Sequence, residues 1–218
     1  MVDLISHSFV VNWFILVGVF FMALLSPGPD FVMAVRQSVM HGRRAGIVTA
    51  IGFALGVAVH VTYCLLGIAA LISQSIVVFS VLKYLGAAYL LYVGIGALRS
   101  RGITLDDPQE TGPCTRMPDG KALRTGFITN VFNPKATMFF LALFTQILSP
   151  DMPAVISALY GATCIIMTAL WFSVVACVLT IPAIKERFVK ISRWVDRLCG
   201  GALIALGIRL ALTKAVPA

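Results

Sequence analysis

The sequence predicts an all-α membrane protein: six transmembrane helices arranged as two inverted three-helix halves, with helices 1 and 4 broken at proline motifs. Three observations carry that expectation. The 218 residues are 59% apolar and only 12% charged, where soluble domains run about 45–50% apolar and about 25% charged. Lys and Arg gather on alternate connections between apolar runs. Proline interrupts two of the runs well inside their length.

A helix needs roughly 20 residues to cross about 30 Å of hydrocarbon. That rule gives spans at about 9–40, 46–72, 77–98, 122–149, 154–180 and 198–214. The last is short and carries Arg209; if it lay flat, five spans would remain and the C-terminus would be inside. The first run has no Lys or Arg before Arg36 and contains Ser26-Pro27-Gly28-Pro29-Asp30. Each proline lacks an N–H and crowds the carbonyl four residues back, so an unbroken helix is excluded there. In lipid, such a break needs protein or a wet cavity over it.

The basic residues then set the orientation. The first connection holds Arg36, Arg43 and Arg44, the third Arg99 to Arg124, and the fifth Lys185 to Arg197. The second and fourth are nearly bare. The positive-inside rule places the odd connections in the cytoplasm and both termini in the periplasm. The formal charge of +8 therefore marks membrane topology rather than a nucleic-acid surface. An N-terminal signal peptide is disfavoured by the lack of a basic flank.

Only 99–121 reads as a linker. It carries Asp106-Asp107-Pro108, Gly112-Pro113 and Pro118-Asp119-Gly120, which are turn formers. It divides a single transmembrane domain, 1–218, into halves 1–98 and 122–218. With three spans each, the second half is inverted. The stretch from Leu85 to Ile95 can be laid without gaps on Leu198 to Ile208. An internal repeat and a chance likeness of small-residue helices both remain open.

Span four holds the second interruption, Asn133-Pro134-Lys135. Asn caps orphan N–H groups and Pro fits a first turn, so a new helix starts there. Paired interruptions in matching spans point to a transporter's substrate site. Ser26 lies ten residues from Arg36, and Asn133 nine from Arg124. Both breaks then sit roughly 14–15 Å from the cytoplasmic boundary, near the midplane. The substrate-site candidates are Ser26, Pro27, Gly28, Pro29, Asp30, Asn133, Pro134 and Lys135.

Three readings of the two charges stay open. Asp30 holds a substrate ammonium and Lys135 its carboxylate. Or the two pair when the site is empty, and Asp30 takes a proton during the cycle. Or Asp30 only caps its helix while Lys135 snorkels. His60, in line with Gly52 and Gly56, is a candidate for proton coupling beside Asp30, or a histidine bonded to a neighbouring helix. Gln37, Thr49 and Asn130 have no assigned place. The aromatic residues of spans four and five read as core. The five cysteines show no CxxC spacing, and no nucleotide loop, catalytic triad or metal spacing is present. No enzyme, cofactor, metal site or nucleic-acid partner is expected.

Ser26-Pro27-Gly28-Pro29-Asp30-Phe31, Gly42-Arg43-Arg44-Ala45-Gly46, Gly86 to Gly94 and Asn133-Pro134-Lys135 together resemble the LysE/RhtB amino-acid exporters along nearly the whole chain. The resemblance implies a bacterial inner-membrane exporter of amino acids or derivatives such as homoserine, homoserine lactone or threonine, driven by protons. The Asp form of the first motif is similar to the homoserine/threonine branch. Some members carry an acidic residue after a span-two glycine. Here Gly56 is followed by Val57, which implies no second carboxylate and speaks against a cationic substrate. The partners expected are a small zwitterion, protons and the bilayer; the small-residue faces Gly52/Gly56 and Ser157/Gly161 suit a homodimer mate and internal packing equally. Two alternatives are a thiol/electron carrier, which would need cysteines at the breaks, and a metal-ion permease, which would need clustered ligands.

Overall fold

A computed structural model describes residues 2–26, 28–74, 76–100, 117–148, 152–178 and 180–212. Among these the chain is all-helical, with seven helices: α1 (Val2–Leu25), α2 (Pro29–Gln74), α3 (Ile76–Arg99), α4 (Asp119–Val131), α5 (Pro134–Ile147), α6 (Ala154–Val178) and α7 (Pro182–Leu212). Two helical stretches, Pro29–Gly67 and Ala154–Val178, are long and apolar enough to cross a bilayer. The pair α4 and α5, bent by 58°, makes a third if it is taken as one broken span. Phe9–Leu25 and Tyr84–Arg99 are shorter apolar helices. Most of the expected linker, 101–116, lies outside the described residues.

Both interruptions appear where the prolines stand. α1 ends at Leu25 and α2 starts at Pro29. α4 ends at Val131 and α5 starts at Pro134. Asn133 caps α5, its side-chain oxygen accepting from the Lys135 backbone N–H at 3.0 Å, as an Asn-Pro start requires.

The connection expected between spans one and two is a tight turn: α2 holds two helical arms that meet at Gly42, whose backbone is not helical (φ 86°, ψ 168°). That region of backbone space is essentially restricted to glycine. The helix doubles back at this point. In a straight helix Ser38 and Gly46 would lie about 12 Å apart along the axis, yet a methyl group on Gly46 would run into the Ser38 hydroxyl. The two arms of α2 are therefore neighbours. Arg44, just past the turn, grips Asp119 at the start of α4 through Nε–Oδ1 (3.1 Å) and Nη2–Oδ2 (2.6 Å). Arg43 donates to Thr180 beyond α6 at 2.9 Å. The tight turn is thus tied to two other helices.

The last helix also departs from expectation. It begins at Pro182 rather than near 198, so the basic connection is itself helical. Proline at a first helical position costs no hydrogen bond, which explains the early start.

Packing is dominated by α2 against α4 and α6, and by α3 against α7. The α2–α4 crossing is a backbone-to-backbone approach. A methyl on Gly126 would strike the Thr49 carbonyl, and one on Gly52 would strike the Leu123 carbonyl. In the α3–α7 pair, Gly94 lies against the Gly200 carbonyl, and Gly207 against the Ala87 carbonyl. These two contacts are interchanged by the gapless alignment that matches Ala87 with Gly200 and Gly94 with Gly207. The look-alike segments are each other's packing partners, antiparallel and locally two-fold. Small residues permit both approaches where a bilayer supplies little hydrophobic drive between helices.

Gly126→Val should therefore force α2 and α4 apart, at a cost of about 1–3 kcal/mol or more typical of overpacking. Thermal unfolding in detergent is expected to show a clearly lowered midpoint. Gly96→Ala, where nothing lies within 4 Å of the added carbon, should leave the midpoint unchanged or slightly raised.

Candidate functional site

The two breaks face one another across a cavity of about 490 Å³, counting its open mouth. Its walls come from α1, both arms of α2, α4, α5 and α6; among the described residues α3 and α7 contribute none. Ser26, Gly28, Asp30, Asn133 and Lys135 all line it, with Asn130. Pro29 and Pro134 occupy the first positions of α2 and α5 and are exposed. Pro27 lies outside the described residues.

The polar contacts cross from one break to the other. Lys135, in the first turn of α5, sends its Nζ to the Ser26 carbonyl and the Ser26 hydroxyl, each at 2.9 Å. An ammonium on the carbonyl end of α1 meets the negative end of that helix. Gly28 leaves room for it, since a methyl there would sit 3.3 Å from Nζ. Asp30, in the first turn of α2, accepts from Asn130 Nδ2, in the last turn of α4, at 2.7 Å. Each charged residue one position after a proline is thus received by the polar end of the other broken helix.

Asp30 and Lys135 form no direct ion pair; each has a neutral partner instead. Asp30 Oδ1 is buried without a donor at hydrogen-bond geometry, although the Asn133 side chain stands close enough to act on the carboxylate. Lys135 uses two acceptors of the three its ammonium can serve. One acceptor and one donor hydrogen are left over for a ligand bearing both charges.

His60 stands behind the wall rather than in it. Pro134 has no N–H, so the Asn130 carbonyl loses the partner an unbroken helix would supply. The Asn133 N–H reaches that carbonyl at 3.0 Å, and His60 Nε2 reaches it also at 3.0 Å. A carbonyl only accepts, so Nε2 carries a proton. The other ring nitrogen, Nδ1, meets the Tyr63 hydroxyl at 2.8 Å. When the ring is neutral, that nitrogen accepts from Tyr63. The line Gly52, Gly56, His60 faces α4 throughout: Gly56 lies against the Asn130 side chain.

Sequence reasoning missed several members of the site. Asn130 was visible as polar but had no assigned partner. Phe20, Phe31, Phe139, Phe140 and Phe172 line the cavity as well as belonging to the core. Helical periodicity does not separate a core face from a cavity wall, so no signal in the sequence marked them. Outside the cavity, Asp196 was also missed as a buried charge: it lies in α7 and accepts from the Ser100 hydroxyl. It sits among basic residues, which made it read as part of a connection. Gln37 is buried with its Nε2 near the Met33 sulfur, and Thr49 donates to the Ala45 carbonyl; neither reaches the cavity.

A multi-pass helical membrane protein with a largely apolar cavity that carries a polar, charged patch at two broken helices is the class this geometry defines. The chain belongs to the LysE type translocator family, whose model matches residues 9–214. It is similar to the uncharacterized membrane protein YahN of Escherichia coli (strain K12), with 28% identity over 90% of this chain and 87% of that protein. It is 27% identical to the threonine efflux protein of the same strain, over 88% of this chain and 94% of that one. A leucine efflux protein of Salmonella choleraesuis (strain SC-B67) is 33% identical over 65% of each chain. No solved structure matches the chain.

Removing Asn130's amide should strand the Asp30 carboxylate. Asn130→Leu is expected to cost about 1–3 kcal/mol of stability, as for a buried group left unsatisfied. Ser26→Ala, which leaves Lys135 its carbonyl acceptor, should cost less. Thermal unfolding of the purified variants in detergent measures the order.

Proposed function

We propose that this chain is a secondary exporter of zwitterionic amino acids or close derivatives, working by alternating access across a bacterial inner membrane. The observation that carries this reading is that Asp30 and Lys135, one from each broken helix, line one cavity without pairing with each other. In this reading Asp30 Oδ1 receives the substrate ammonium and the free Lys135 hydrogen meets the carboxylate. Buried opposite charges left apart suit a ligand that carries both. Helix N-termini at the same place add favourable potential for the carboxylate. The efflux proteins among the relatives support amino-acid export.

The architecture proposed is one transmembrane domain of six spans, with halves 1–98 and 122–218 about a cytoplasmic linker at 99–121. The two arms of α2 then belong to spans one and two, and α4 with α5 forms span four. The interchangeable α3–α7 contacts support an inverted relation between the halves. Rocking of the halves about the breaks would expose the cavity to either side in turn. Proton coupling falls to Asp30, with His60 holding the adjoining Asn130 carbonyl.

Efflux from amino-acid-loaded proteoliposomes under an imposed pH gradient tests the site. Asp30→Asn and Lys135→Ala should each lower the initial rate at least about tenfold, the scale of one lost charged contact. Wild-type rates in both variants would refute the assignment. Orientation is tested separately: a reporter enzyme that is active only in the periplasm should be active when fused after residue 218 and silent when inserted at residue 110.

A further inference from the structure

We infer that the site selects amino acids with branched or aromatic hydrocarbon side chains over hydroxylated ones such as threonine or homoserine. This rests on the exporter reading above and concerns the part of the cavity that the charged groups leave unfilled.

The charged and amide groups all come from the two breaks. Asp30, Lys135 and their neighbours at the two breaks are consumed by a ligand's ammonium and carboxylate. Away from them the walls are aromatic: Phe20 from α1, Phe31 from α2, Phe139 and Phe140 from α5, and Phe172 from α6. Phe20 packs against both Phe139 and Phe140, at centroid distances of 5.9 and 5.4 Å. Phe140 is stacked in turn on His60 at 5.7 Å. These rings are held by their neighbours, so the sleeve is preformed rather than adaptable.

The one hydroxyl on that wall is Thr168. It is buried and donates to the Cys164 carbonyl of its own helix at 2.8 Å, so its proton is committed. A ligand hydroxyl placed among the rings would give up water for one neutral acceptor at most, the Thr168 oxygen, whose lone pairs stay open. A hydrocarbon side chain gives up nothing and gains contact with ring faces. Both effects favour the same class. The sleeve departs here from the hydroxylated substrates that the family resemblance implies.

The experiment uses the full-length wild-type protein in proteoliposomes, loaded with equal concentrations of labelled leucine, isoleucine, phenylalanine, threonine or homoserine under one imposed gradient. Leucine, isoleucine or phenylalanine should leave at least about tenfold faster than threonine and homoserine, the usual reach of a pocket that tells hydrocarbon from hydroxyl. Threonine or homoserine leaving as fast as the apolar set, or faster, would overturn this inference and leave the exporter reading standing. If no amino acid leaves faster than from protein-free vesicles, the exporter reading falls and this inference with it.

Discussion

The structure depends on a reciprocal exchange at two broken helices. A helix cut by proline inside a bilayer leaves carbonyls and N–H groups that lipid cannot satisfy. Here each break is completed by the other. Lys135 closes the carbonyl end of α1 through Ser26, while Asn130 at the end of α4 holds the Asp30 carboxylate. Neither break is self-sufficient, so the two helices must meet, and they must meet at their broken points.

The surrounding helices serve that meeting. The glycine line of α2 lets the α4 backbone come close enough for His60 to reach the Asn130 carbonyl. That carbonyl has room for the histidine beside the Asn133 N–H because Pro134 has no hydrogen to offer it. One proline therefore accounts for the bend of 58°, the histidine's contact and the position of the asparagine that receives Asp30. The turn at Gly42 acts at a greater distance. It folds α2 onto itself, and so sets Asp30 on one arm and His60 on the other against the same end of α4. Among the described residues the α3–α7 pair lines none of the cavity, and it braces the bundle through its own small-residue contact.

A cavity built this way has two chemistries. Its polar end is made of helix termini and the charges that follow them, all within a few residues of a proline. Its remaining wall is made of side chains that also fill the core. The phenylalanines pack outward against other helices and inward on empty space, so stability and ligand selection rest on the same residues. Substitutions in the sleeve are bound to disturb both.

The sequence by itself determined the membrane class, the family, the two breaks, and the residues that follow each proline. Those properties are local: hydrocarbon thickness sets run length, and a missing N–H breaks a helix wherever it falls. Tertiary structure alone decided that Lys135 turns to Ser26 and Asp30 to Asn130 instead of to each other. It also decided that His60 supports the wall from behind, that α2 doubles back on itself within one residue at Gly42, and that Asp196 is buried. Each of these turns on which groups from distant stretches of chain come within about 3 Å, the reach of a hydrogen bond, and periodicity along the chain carries no information about that.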